Sequence, residues 1–156
     1  MKIYIILTLI ALTLAEEWKL KTVEEWKQIY MTCDQRHQVA EEFYQKSRTE
    51  KYPPKEVFEV VLCTMRSMEV WSDTEGFSVD KMMIALDSAA TQENVDKKFI
   101  RDSLESCADK NTEGSTPLDW AYRCFKCFKD NEKFFKVLRE ARFFDEQSSD
   151  YVDSKE

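Results

Sequence analysis

Five cysteines and a single histidine are the residues of this 156-residue chain with the most distinctive chemistry. Two of the cysteines form the motif Cys124-Phe-Lys-Cys127, which can act as a redox pair or as half of a metal site. A redox motif of this kind belongs between a strand and a helix, and a structural zinc site needs two more Cys or His ligands at matching spacing. Because the other cysteines stand singly, the spacing favours neither role, and no metal or cofactor is predicted.

Any serine or cysteine triad in this chain would have to be built on His37. The neighbours of His37 are charged, which favours a solvated surface histidine. The sequence also lacks the G-x-S-x-G and H-E-x-x-H motifs and any Gly-rich phosphate loop. We therefore predict that the protein is not an enzyme.

The first fifteen residues predict a secretory signal peptide. Lys2 supplies a positive charge, the stretch from Ile3 to Leu14 is almost entirely apolar, and Ala15 completes a small-residue cleavage pattern. The apolar stretch is shorter than the roughly 20 residues of a membrane-spanning helix, and no later segment is long and apolar enough. We expect a secreted, extracellular protein without membrane insertion, in which disulfides can form.

The composition limits the folds and the binding partners that are possible for this chain. The net charge of −7 repels phosphate backbones, which argues against nucleic-acid binding. Two glycines and three prolines are too few for the many tight turns of a β-sandwich or barrel, so an all-α fold is predicted. Ten Phe, four Trp and six Tyr require extensive burial, around one another or around a ligand.

Apolar residues recur at helical spacing in six or seven short segments. Capping residues support several of the starts, including the Thr22-Val-Glu-Glu25 capping box and Thr116 before Pro117. The predicted helices are Thr22 to Cys33, Val39 to Ser47, Lys55 to near Trp71, Ser78 to Leu86, Thr91 or Asn94 to Cys107, Thr116 to Phe128, and a last one containing Phe134 that extends to about Phe144. They form one domain over residues 16–144, followed by a flexible acidic tail over residues 145–156.

Three segments resemble the insect odorant-binding proteins of the pheromone-binding and general-odorant-binding superfamily. They are the first helix ending in Cys33, the stretch from Cys63 to Phe77, and the stretch from Cys107 to Phe128. Family members with the full pattern have six cysteines, the second bonded to the fifth. Glu59 and Leu118 stand at those two positions here, a joint loss that resembles the C-minus branch of the family.

The resemblance implies two disulfides, Cys33–Cys63 and Cys107–Cys127. Cys124 is then a free thiol, expected to be buried and to behave as a small apolar side chain. It lies three residues from Cys127 on the same helical face, so a Cys107–Cys124 bond is the competing choice.

The resemblance also implies helices around an internal apolar cavity that carries small hydrophobic ligands, such as odorants, pheromones or fatty-acid-like molecules, through lymph or haemolymph. Apolar stripes at helical spacing are needed for an ordinary core as well, so core packing is the competing interpretation of each residue. The predicted ligand-binding residues are Phe58, Leu62, Met65, Met68, Trp71, Met83, Leu86, Leu104, Trp120, Phe125 and Phe135. An extracellular interaction or storage-type lymph protein is the alternative function, and either is expected to be a monomer or a weak homodimer.

Overall fold

The computed structural model describes residues 18–141, which form seven helices and one short hairpin. The predicted all-α fold is confirmed. The helices are α1 (Val23–His37), α2 (Glu41–Thr49), α3 (Lys55–Ser67), α4 (Val79–Gln92), α5 (Lys97–Cys107), α6 (Pro117–Asp130) and α7 (Glu132–Glu140). The predicted signal peptide, the acidic tail and Phe144 lie outside the described residues, so those boundaries remain predictions.

The helix starts follow the capping residues in the sequence. At α1, the Glu25 amide donates to Thr22 Oγ1 over 3.2 Å, and the Glu25 carboxylate accepts the Thr22 amide over 2.8 Å. Thr116 accepts a hydrogen bond from the Asp119 amide, and Pro117 is the first residue of α6. These side chains pair the free backbone amides of the first helical turn. Because the pairing residues are close in sequence, such helix starts can be predicted from the sequence.

Helix α3 ends earlier than the apolar stripe suggests, at Ser67 rather than near Trp71. Glu69 takes a left-handed conformation with φ of 61°, and the chain then forms the hairpin of β1 (Trp71–Ser72) and β2 (Gly76–Phe77). Gly76 has the positive φ expected of the turn, 79°. A β-carbon there would lie 2.4 Å from a ring carbon of Trp120, so the hairpin packs directly on α6 at its glycine.

Helix α5 begins at Lys97, which corrects the predicted start at Thr91 or Asn94. Thr91 belongs to α4, and Asn94 lies in the connection with a φ of 50°. The cap is Asp96, whose carboxylate accepts the Lys98 amide over 2.6 Å. Several polar residues in this stretch can cap a helix, and the packing of α4 against α5 decides which one does.

Helix α3 is central in the packing. It contacts α1, α2 and α6, while α7 contacts α4 and α6. Phe58, Val60 and Leu62 on this helix are fully buried. Over residues 18–141, none of the helices combines the length and the apolar character needed to cross a bilayer.

Candidate functional site

The eleven predicted ligand-binding residues lie together. Nine of them are buried in one continuous apolar cluster, and Met83 and Phe135 are half-buried against it. They come from α3 and its C-cap residue Met68, from the hairpin and from helices α4 to α7. The sequence therefore brings the predicted residues to one place in the fold, the largest apolar core of the described chain.

Several of these side chains contact one another. The rings of Phe58 and Phe125 have centroids 5.1 Å apart, those of Trp71 and Trp120 4.9 Å, and those of Phe125 and Phe135 6.3 Å. These are ordinary packing distances between aromatic rings. In the conformation described, a ligand bound between these pairs must displace side chains.

A surface cleft of about 250 Å³ lies between the end of α1, the middle of α3 and the start of α6, and we call it the α3–α6 cleft. Its lining residues are His37, Glu59, Leu62, Arg66, Thr116, Pro117 and Leu118. Leu62 is the one residue that belongs both to this cleft and to the predicted ligand-binding set. A second cleft, of about 200 Å³, lies beside α1 and is lined in part by Gln28, Thr32 and Ser67.

The α3–α6 cleft was not predicted from the sequence, although several of its residues were singled out for other reasons. Glu59 and Leu118, at the positions where the family pattern has a bonded cysteine pair, both line it. The signal that could have located the cleft was therefore the joint loss of those cysteines.

Polar side chains of the α3–α6 cleft are paired. His37 Nδ1 lies 3.3 Å from a Glu59 carboxylate oxygen, and the His37 side chain is 24% exposed, so it is partly buried rather than the solvated surface histidine that was predicted. Arg66 donates two hydrogen bonds of 2.9 Å to the Asp73 carboxylate. Burial acts to raise the pKa of Asp73, but the hydrogen bonds from Arg66 and Trp71 outweigh it and lower that pKa. Glu59 and Arg66 therefore each have a polar partner, and Leu62, Pro117 and Leu118 supply the apolar part of the lining.

The two disulfides are Cys33–Cys63 and Cys107–Cys127, with Cα atoms 5.8 and 5.6 Å apart. These are the pairs that the family resemblance implied. Cys124 is the free thiol and is buried, and its burial raises the pKa of the thiol. The C-x-x-C motif is therefore split between a disulfide and a buried thiol. Among residues 18–141, no three Cys, His, Asp or Glu side chains are grouped so as to hold a metal ion.

A polar network orders the loop between α5 and α6, which sequence analysis identified only as a loop. Arg123 donates to the Asp109 carboxylate over 2.8 Å and to Ser115 Oγ over 2.7 Å. The Trp120 indole donates to the Asp109 carbonyl over 2.6 Å. The hydrogen bond from Arg123 holds the pKa of Asp109 below its usual range, with help from the Asn111 amide. The network fixes the start of α6 and the orientation of Trp120 beneath the hairpin.

The chain is similar to known proteins. A family model described as the PBP/GOBP family matches residues 15–131. A protein named odorant-binding protein 22, from Aedes aegypti, is 26% identical over 132 residues, which cover 84% of this chain and 91% of the Aedes protein. The family match spans α1 to α6, the hairpin and all five cysteines.

Proposed function

Because the chain belongs to the PBP/GOBP family, a family of carriers for small ligands, we propose that it binds small hydrophobic molecules within its helical core. The proposed ligands are odorant-, pheromone- or fatty-acid-like, and their binding serves transport or sequestration. The relative in Aedes is named an odorant-binding protein, which supports this class of ligand.

The observation that carries the proposal is the convergence of the eleven predicted residues in one apolar cluster. Met65, Met68 and Met82 are buried in this cluster, and Met83 packs against it. Methionine side chains are unbranched and flexible, so a core rich in them can repack around molecules of different shape. The aromatic pairs are in direct contact in the conformation described, so a ligand needs space that this conformation does not provide. We propose that the flexible methionine side chains move to make this space.

Secretion is part of the proposal. Residues 1–15 have the pattern of a signal peptide, and the two disulfides suit an oxidising compartment. Two disulfides together with Glu59 and Leu118 at the vacated positions also support placement in the C-minus branch. The proposed location is therefore an extracellular fluid such as lymph or haemolymph, where an apolar molecule needs a carrier to stay dissolved.

The proposal is tested by titrating the refolded mature region, residues 16–156, with the apolar fluorescent probe N-phenyl-1-naphthylamine. We expect saturable binding and displacement of the probe by a long-chain fatty acid. Met83→Ala should weaken probe binding by about three- to tenfold, since the substitution removes apolar contact at the edge of the core. Native mass spectrometry of protein purified from its source would identify the ligand by its mass.

Ile84→Ala is the matched control, because Ile84 follows Met83 on α4 but its side chain is 51% exposed. It should leave probe affinity unchanged. If neither the probe nor any long-chain lipid binds, the carrier function is wrong, and an interaction or storage-type lymph protein becomes the better interpretation. Equal losses of affinity in the two variants would place the ligand outside the core.

A further inference from the structure

The four tryptophans of the chain differ in the partner of the indole N–H. Trp18 donates to the Met68 carbonyl over 3.1 Å, Trp71 to Asp73 over 2.9 Å, and Trp120 to the Asp109 carbonyl over 2.6 Å. The indole nitrogen of Trp26 is buried and, within residues 18–141, is the side-chain polar atom left without a hydrogen-bond partner.

Trp26 packs against the apolar core that is proposed to hold the ligand. It lies on α1 at helical spacing from Ile29 and Cys33, on the face that packs towards α3. Its ring stacks on Tyr30 with centroids 5.5 Å apart, and its side chain packs against the same apolar cluster that contains the predicted ligand-binding residues. The side chain that carries the unpaired donor therefore forms part of the wall of that core.

A buried donor without a partner is costly, and folded proteins pair the great majority of such groups. An indole N–H can only donate, so the missing partner must be an acceptor. Solvent does not reach this nitrogen. A neutral oxygen fits better than a carboxylate, because burying an uncompensated charge costs far more than burying a carbonyl.

We propose that the Trp26 indole N–H is the hydrogen-bond donor for the ligand, and that it selects apolar molecules carrying a neutral carbonyl oxygen. The proposal rests on the carrier function above and names a polar contact between the apolar core and its ligand. Trp26 is a specificity-determining residue that sequence analysis did not include in the ligand-binding set.

The test compares two competitors of the same shape, the ketone 2-undecanone and the alkene 2-methyl-1-undecene, in which a methylene group replaces the oxygen. Each is titrated against protein loaded with N-phenyl-1-naphthylamine. Trp26→Phe should weaken binding of the ketone by about tenfold while leaving binding of the alkene within about twofold. A loss of this kind cannot come from the shape of the ring alone, since the alkene has the same shape as the ketone.

Trp18→Phe is the matched control, because the indole it removes already donates to a backbone carbonyl. It should change ketone and alkene binding equally. As a second measurement, which needs no variant, the indole N–H signals of the four tryptophans in ¹⁵N-labelled protein are recorded with each competitor. The ketone should shift one of them further downfield than the alkene does, because only the ketone supplies a hydrogen-bond acceptor.

Equal effects of Trp26→Phe on the two competitors, or indole signals that respond alike to both, would overturn the role of Trp26 while leaving the carrier function intact. Failure of the wild-type protein to bind the probe and both competitors would instead overturn the carrier function, and this inference with it.

Discussion

Helix α6 is joined to α5 and to α3 in two different ways. At the α5–α6 junction, the Cys107–Cys127 disulfide adds to the Arg123–Asp109 network. At the α3–α6 junction, Phe58 packs on Tyr122 and Phe125 with ring centroids 5.1 Å from each. The described polar contacts around this second junction include an exposed Lys55–Asp119 ion pair and a 2.7 Å hydrogen bond from Tyr122 to the Pro53 carbonyl.

The difference separates the part of the fold that is fixed from the part that can rearrange. A covalent bond and directional hydrogen bonds hold one geometry, whereas apolar contacts tolerate repacking at modest cost. The α3–α6 junction also carries the α3–α6 cleft, with Glu59 and Leu118 on its walls. We therefore expect the core to adapt to a ligand on the α3 side of α6 and to stay rigid on the α5 side.

The largest expected effect is removal of the disulfide at the rigid junction with Cys107→Ser and Cys127→Ser together. The bond closes a loop with a sequence separation of 20 residues, and loop-closure entropy predicts a loss of about 3 kcal/mol in the free energy of unfolding. Urea denaturation followed by circular dichroism measures this loss. A loss below about 1 kcal/mol would mean that the polar network holds the junction without the bond, which would break the distinction between the two junctions.

A second variant introduces a disulfide at the adaptable α3–α6 junction. Glu59→Cys with Leu118→Cys restores the family's cysteine pair, and we expect a gain of about 2 kcal/mol, because loop closure is partly offset by lost Leu118 packing. The control is Glu59→Ser with Leu118→Ser, which makes the same truncations without a bond. If the bonded variant is no more stable than this control, the two positions do not face each other as the family pattern implies.

The smallest expected effect is the pH dependence of the polar network. The pKa of Asp109 is lowered in the folded protein, so its contribution to stability is present above the unfolded pKa of about 3.9 and is lost as the pH falls through the lower folded value. Asp109→Asn should lower Tm at pH 6, and the difference from wild type should shrink below about pH 4. A Tm difference that is constant from pH 6 to pH 3 would exclude the charge of Asp109 as its cause.

Local signals were sufficient to predict much of the fold. Thr22 and Thr116 cap helices where the sequence indicated, because a cap depends on residues within one turn. The end of α3 and the start of α5 were missed, since contacts between elements decide them. The pairing of Trp71 with Phe77, with Trp120 packed against Gly76, is one such contact.

The candidate site, like the fold, could be predicted from the sequence only in part. Helical spacing identified apolar residues such as Leu62 and Leu104, which the structure brings together. Spacing could not identify the role of Arg123, whose partner Asp109 lies 14 residues away across a loop. It also could not single out Trp26, because whether an indole finds a partner depends on the groups that other helices bring to it.

The buried thiol of Cys124 makes the chain its own unfolding reporter. It is 3% exposed, and burial raises its pKa, so an alkylating reagent added at neutral pH must wait for the core around α6 to open. The other four cysteines are bonded to each other and do not compete. When the core recloses faster than the reagent reacts, the rate at which this one sulfur is modified therefore reports the fraction of the unaltered protein whose core is open. A ligand that occupies the core should slow the alkylation of Cys124, so its binding can be measured without labelling the ligand.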